Sequence, residues 1–211
     1  MRKWFPVIPV GGAFLLSAAV YSRLPNPMPS HWDINGQVNG YSSRPFGAFL
    51  MPVIALLIWG LMRGLPHIDP RQANYAKFQG TYDLVVNAIL TMMAAIHVAV
   101  IGAALGWPIP HIERLSTVAV GAMLLVLGNV LPRARPNWWF GIRTPWTLSS
   151  DTVWIRTHRV GGYLMAAAGL LTMIAAFLPP RAGFAVLMTA VAGAALGSVV
   201  YSYFAWRKEQ S

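Results

Sequence analysis

Six stretches of the chain are apolar for long enough to cross a bilayer and contain no Asp, Glu, Lys or Arg. They are Trp4–Tyr21, Phe46–Met62, Leu84–Trp107, Leu115–Leu131, Val160–Leu178 and Gly183–Trp206. About 20 apolar residues span the hydrocarbon core as a helix, within a range of roughly 17–25. Only helices and closed barrels satisfy their backbone in that medium. The six runs lack the two-residue alternation of a barrel strand. The pattern therefore predicts an all-α integral membrane protein with six transmembrane helices. Arg2 and Lys3 before the first run also suit a signal peptide, but no small-residue cleavage site follows, so the first helix is read as retained. Pro6, Pro9 and Pro52 are expected to kink their helices.

The polar segments between the runs set the organisation. Residues 1–211 read as one membrane domain. Within it, 1–82 forms a two-helix module with a long loop at 22–45, and 83–211 forms a four-helix module with a long loop at 132–159. Both loops are rich in Pro, Gly, Asn, Ser and Trp, which set turns and sit at the lipid–water boundary. A third connection, His67–Tyr82, is polar and suits a short surface helix, but a plain solvated connector is the preferred reading.

Charge adds orientation. Only 10% of residues are charged, far fewer than the roughly 25% of soluble domains. The formal net charge is +10. With the N-terminus cytoplasmic, Arg2, Lys3, Arg63, Arg71, Lys77, Arg133, Arg135, Arg143, Arg156, Arg159, Arg207 and Lys208 lie inside. Only Arg23, Arg44, Arg114 and Arg181 lie outside. This bias predicts a multi-pass plasma-membrane protein with both termini cytoplasmic. The basic residues are spread between apolar runs rather than gathered on a polar stripe, so no direct nucleic-acid binding is expected. With no cysteine, disulfides and thiolate metal sites are excluded.

The two long loops begin alike. Leu24-Pro25, Pro29 and Trp32 match Leu131-Pro132, Pro136 and Trp139 at a constant offset of 107 residues. Each follows the first helix of a three-helix half, which suits a 3+3 inverted-topology repeat as used by many transporters. Gly102-x-x-x-Gly106 and Gly193-x-x-x-Gly197 offer small-residue packing sites.

Candidate chemistry is sparse. Asp83, Asn87, Thr91 and His97 form a polar stripe on the third helix. A proton relay needs a partner charge on another helix, and none is visible, so interhelical hydrogen bonding is preferred. Outside, His31, Asp33, His111 and Glu113 form two acid–histidine pairs that a zinc ion would accept. They are 80 residues apart, so separate local partners are the preferred reading and no cofactor is expected. Inside, Asn137 to Trp146 is the densest run, with Arg143 suited to clamp an acid, Asp151 among them. Asn137 and Thr144 are expected to bond loop backbone, Ser149 or Ser150 to cap the next helix, and His158 to open it. Nucleophile elbow, P-loop, dinucleotide and HExxH patterns are absent, so no enzyme activity is expected.

Leu127-Gly-Asn129, Leu131-Pro132, Pro136-Asn137-Trp-Trp-Phe-Gly-Ile-Arg-Thr-Pro-Trp146-Thr-Leu, Asp151, Val153-Trp154, Thr157-His158-Arg159 and Gly161-Gly162 together resemble the SdpI family. Leu24-Pro25 through Pro29-Ser-His31-Trp32, Asn35-Gly36 and Gly40-Tyr41 resemble the uncharacterised membrane module often fused before it. The resemblance implies a plasma-membrane immunity and signalling protein. Such a protein meets a secreted peptide toxin outside and holds a winged-helix repressor at its cytoplasmic face. Alternatives are a small transporter or lipid-handling protein and a metal-dependent membrane hydrolase. The expected functional residues are Asn129, Asn137, Gly141, Arg143, Thr144, Pro145, Trp146, Asp151, Trp154 and His158 inside, and His31, Trp32, Asn35 and Gly36 outside. Membrane lipids are the remaining expected partner.

Overall fold

The computed structural model describes residues 5–109 and 111–210. Arg2, Lys3 and Trp4, used above for orientation and for the first run, lie outside the described residues. The elements in chain order are α1 (Val7–Val20), β1 (Met28–Trp32), β2 (Val38–Ser42), α2 (Arg44–Gly64), α3 (Tyr75–Ala104), α4 (Ile112–Val130), α5 (Pro145–Ser149), α6 (Asp151–Ala175) and α7 (Pro180–Gln210). Among the described residues, four helical segments are long and apolar enough to cross a membrane. These are Arg44–His67, Gln72–Ala104, Ile112–Arg133 and Pro180–Gln210, joined by the shorter apolar helix Val7–Arg23. The chain is thus a mostly helical membrane protein, with α6 outside that set although it has 25 residues.

The chain divides into two compact units, Met1–Leu61 with Val86–Ser116, and Met62–Val85 with Thr117–Ser211. In the first unit the loop at 22–45 folds as an antiparallel hairpin, an addition to the expected all-helical architecture. The hairpin is rooted by Leu24 and Met28, which are buried with Ala48 and Ile101. At its tip the Asp33 carboxylate accepts the backbone N–H of Asn35 (2.9 Å) and Gln37 (2.8 Å). Gly36 takes φ +77°, a left-handed conformation glycine adopts without penalty.

Proline acts differently from expectation at two of its three sites. Pro6 is the N-cap of α1 and Pro9 lies in its first turn. A helix start leaves those N–H groups without partners anyway, so neither proline need break the helix. Pro52 does sit inside α2 and removes the donor that Ala48 C=O would otherwise receive. Ser17 of α1 replaces it, donating its hydroxyl to Ala48 O at 2.6 Å.

In the second unit, α6 packs along α7. A second seam joins α4 to α6. A Cβ at Gly121 would lie 2.8 Å from Gly169 O, and one at Gly162 would lie 2.7 Å from Gly128 O. These glycines, seven residues apart on each helix, let the two backbones touch in antiparallel register. The expected packing pairs do not do this. A Cβ at Gly106 or Gly193 meets nothing within 4 Å, Gly102 faces Trp107, and Gly197 faces Leu164.

Candidate functional site

The loop at residues 132–159 closes onto the segment after α2 through buried polar groups of the second unit. Asn137 is 1% exposed. Its amide donates to Arg135 O (2.8 Å) and Phe140 O (3.0 Å), and its carbonyl accepts the N–H of Trp139 and of Phe140. One side chain therefore replaces the regular hydrogen bonds that this Pro-rich turn cannot make. Thr144 caps α5 reciprocally with Thr147, with Pro145 in the first turn. Thr144 also meets Ser202 of α7 at 3.0 Å. Trp146 stands edge-on to Tyr203, ring centroids 5.2 Å apart. Ser150, one of the two anticipated caps, accepts from Val153 N–H at the start of α6.

His158 and Trp154 lock the loop from the helix side. Both are fully buried, with rings stacked at 4.0 Å. Trp154 Nε1 donates to Ala134 O (3.0 Å). His158 Nε2 accepts the N–H of Ile142 (2.9 Å), so Nδ1 carries the proton and donates to Trp154 O. Gly141, at φ +111°, leaves no space for a Cβ against His158 Nε2. Gly141→Ala is accordingly expected to cost roughly 2 kcal/mol from left-handed strain and displacement of that ring, measurable as a lower unfolding midpoint in detergent.

His158 lies before the apolar stretch Val160–Leu178, on a helix outside the set long and apolar enough to cross a membrane. Burial pushes its imidazole down to about 4 from 6.5, against the opposing effect of its bond to Trp154 O. Between these values the unfolded chain binds the proton and the folded chain does not. This contribution to stability is complete above pH 6.5 and is lost as pH falls towards 4. At pH 5 the loss is roughly 2 kcal/mol. Parallel unfolding curves at pH 7.5 and pH 5 should show it, and His158→Gln should remove that pH dependence.

Two expected roles are corrected. Arg143 does not pair with Asp151. It is exposed and donates to Trp138 O (3.0 Å), while Asp151 pairs with Arg71 at 2.7 Å. The connector His67–Tyr82 is not simply solvated. Asp69 is 3% exposed and accepts from Arg71 N–H (2.7 Å), Tyr75 hydroxyl (2.9 Å) and Trp138 N–H (2.9 Å). Phe78 and Tyr82 then carry Phe140 in an aromatic cluster with centroids 6.1 Å and 6.0 Å away. Asp69 and Tyr75 are the loop-anchoring residues that sequence reasoning missed. The available signal was the scarcity of acids, six in the whole chain. Asn129 stands apart, exposed and bonded to Leu125 O of its own helix.

The residues expected to lie outside group around the hairpin. His31 pairs with Asn39 across the strands, and Trp32 is half-buried at the end of β1. Asn35 reaches Asp33 with both its N–H groups. Gly36 approaches Glu113, a Cβ there lying 2.5 Å from the carboxylate, and Glu113 also meets His111 at 3.1 Å. Backbone donors at Gln37 and Asn35 hold the Asp33 carboxyl below its usual range. Among the described residues no three or more His, Cys, Asp or Glu come together as a metal-binding group.

Fold and site together define a class: a helical membrane protein displaying a rigid hydrogen-bonded loop, from which Trp138, Trp139 and Arg143 project. Residues 133–202 match the SdpI/YfhL protein family, and residues 10–56 match a domain of unknown function, DUF1648. The resemblance read from the sequence is thereby borne out, with one match in each compact unit. The chain is 27% identical over 196 residues to the immunity protein SdpI of Bacillus subtilis (strain 168), covering 93% of this chain and 91% of that protein. No solved structure matches the chain significantly.

Proposed function

We propose that this chain is a plasma-membrane immunity protein that confers resistance to a secreted antimicrobial peptide. The carrying observation is the near full-length similarity to the immunity protein SdpI. In this reading the chain crosses the membrane six times with both termini cytoplasmic. The hairpin at Met28–Ser42 faces the toxin, and the loop at 132–159 faces the cytoplasm. Such a role asks for recognition surfaces rather than catalysis. A locked loop with exposed Trp138, Trp139 and Arg143 suits a cytoplasmic partner, which we take to be a winged-helix repressor.

Expression in a strain sensitive to a secreted membrane-active peptide is expected to raise survival on challenge with that peptide. Equal killing with and without the chain, while the protein is detected in the membrane fraction, defeats the reading for that toxin. Co-purification of a winged-helix protein that is lost in Arg143→Ala would support the partner. Retention of the partner by that variant would remove Arg143 from its binding surface.

A further inference from the structure

His97 lies in the apolar part of α3, 1% exposed. Its ring meets two groups of α1, the Ser17 hydroxyl, whose Oγ is 2.8 Å from Nε2, and the backbone carbonyl of Ala13, an acceptor only. The serine hydroxyl has a single proton, and its bond to Ala48 O uses that proton. Ser17 therefore accepts from His97, which fixes the imidazole as the Nε2–H tautomer. Nδ1 is then left with a bare lone pair. It is buried and has no hydrogen-bond partner in the structure. Leaving a buried acceptor unpaired is costly, and ionisable groups in membrane segments usually mark functional sites.

A serine beside a histidine also suggests a nucleophile, but the proton direction excludes it here. Activation needs an imidazole nitrogen that accepts the serine proton. Here that proton is held by the carbonyl that Pro52 leaves unpaired, and Nε2 must donate. The free basic atom is Nδ1, on the other side of the ring.

We propose that His97 Nδ1 is a proton-binding site inside the first unit, and that proton uptake there loosens the junction of α1, α2 and α3. The step adds one proton to Nδ1 and gives an imidazolium. Ser17 can accept from that cation but cannot neutralise it. From α1, no ionisable side chain is present between Val7 and Val20. From α2, Arg44 lies one turn before Ala48 with its guanidinium 5.8 Å from the Tyr21 ring, and Arg63 lies in the last turn. On α3 and its continuation, the nearest ionisable residues are Asp83 and His111, each fourteen positions away. At the start of α4, Glu113 is engaged with His111 and the Gly36 turn, beside Arg114. The charged side chains carried by α1 with its continuation and by α2 are thus the cations Arg23, Arg44 and Arg63, and neither segment carries an Asp or Glu to compensate. A charge there would be relieved by separation of the helices and entry of water.

The test uses the full chain in lipid nanodiscs. Nitrogen NMR of labelled histidine, assigned with His97→Gln, should show Nδ1 of His97 gaining a proton between pH 7.5 and pH 4.5. Hydrogen exchange in 13–21 and 45–52, corrected for the intrinsic pH effect, should rise about tenfold over that range in the native chain but not in His97→Gln. Glutamine can still donate to Ser17 but does not ionise. An Nδ1 that stays unprotonated throughout, or an equal exchange rise in both proteins, overturns the proposal. Should His97→Gln fail to fold, assignment by elimination from single variants of the other four histidines keeps the NMR arm decisive. Neither readout depends on toxin resistance, so failure here is separable from failure of the proposed function.

Discussion

Asp69→Ala is expected to release the loop at 132–159 and to cost about 3–5 kcal/mol of stability, because three donors lose one buried acceptor. Water cannot replace the carboxylate easily at a side chain that is 3% exposed. Of the three donors, Trp138 N–H matters most to the loop, since it is the one contributed from 132–159. Its loss also leaves Tyr75 with only the long 3.3 Å contact to Asn137. Asp69→Asn should fall between alanine and native, since its one carbonyl oxygen still accepts while its NH2 confronts a donor. The neighbouring pair Arg71–Asp151 provides the contrast. Its side chains are 34% and 66% exposed, so Asp151→Ala should cost less than about 1 kcal/mol despite a 2.7 Å contact. Unfolding in graded denaturing detergent measures all three. Limited trypsin digestion after Arg133 and Arg143 reports whether the loop has come loose. If Asp69→Ala were no worse than Asp151→Ala, the anchoring role would be wrong.

Gly162→Leu is expected to be at least as damaging, with a cost of about 3 kcal/mol or more. A Cβ at 162 would meet Gly128 O at 2.7 Å and the Pro132 ring at 2.9 Å, and only backbone movement of α4 or α6 can make room. Gly128→Leu should act equally, because its Cβ would run into the backbone of Gly162 and Ala166. Between two membrane helices, close packing is a main source of attraction, so separating them removes most of what holds the seam. Gly193→Leu is the control. It sits on α7 with open space around the missing Cβ, and its effect should stay within about 0.5 kcal/mol. Folded yield and unfolding midpoint in detergent distinguish the two classes. A tolerated Gly162→Leu would show that the α4–α6 approach is looser than the structure has it.

Much of this protein could be read without coordinates. The apolar runs located membrane-length helices because lipid selects for composition along a segment, a property of consecutive residues. Local signals also carried. Ser150 caps α6, Pro145 opens α5, and Asn137 and Thr144 bond nearby backbone, since each interaction lies within a few residues. The dense motif around Gly141 and Arg143 was enough to suggest the SdpI resemblance.

Other features were not legible. The loop at 22–45 became a hairpin, and its strands are too short and polar to announce themselves in a Pro- and Asn-rich segment. The choice between glycine pairs failed because a four-residue spacing says which glycines share a face, not which face meets a neighbour. Asp69 looked like a connector residue because its partner Trp138 is 69 positions away. Ser17, Ala48 and His97 come from three helices, and their bonds depend on how each helix is rotated about its axis. The sequence alone determined the membrane class, most helix locations and the local turn chemistry, because these follow from the medium and from near neighbours. Only the tertiary structure decided which buried polar groups meet, because rotation and register arise from close packing between segments distant in sequence.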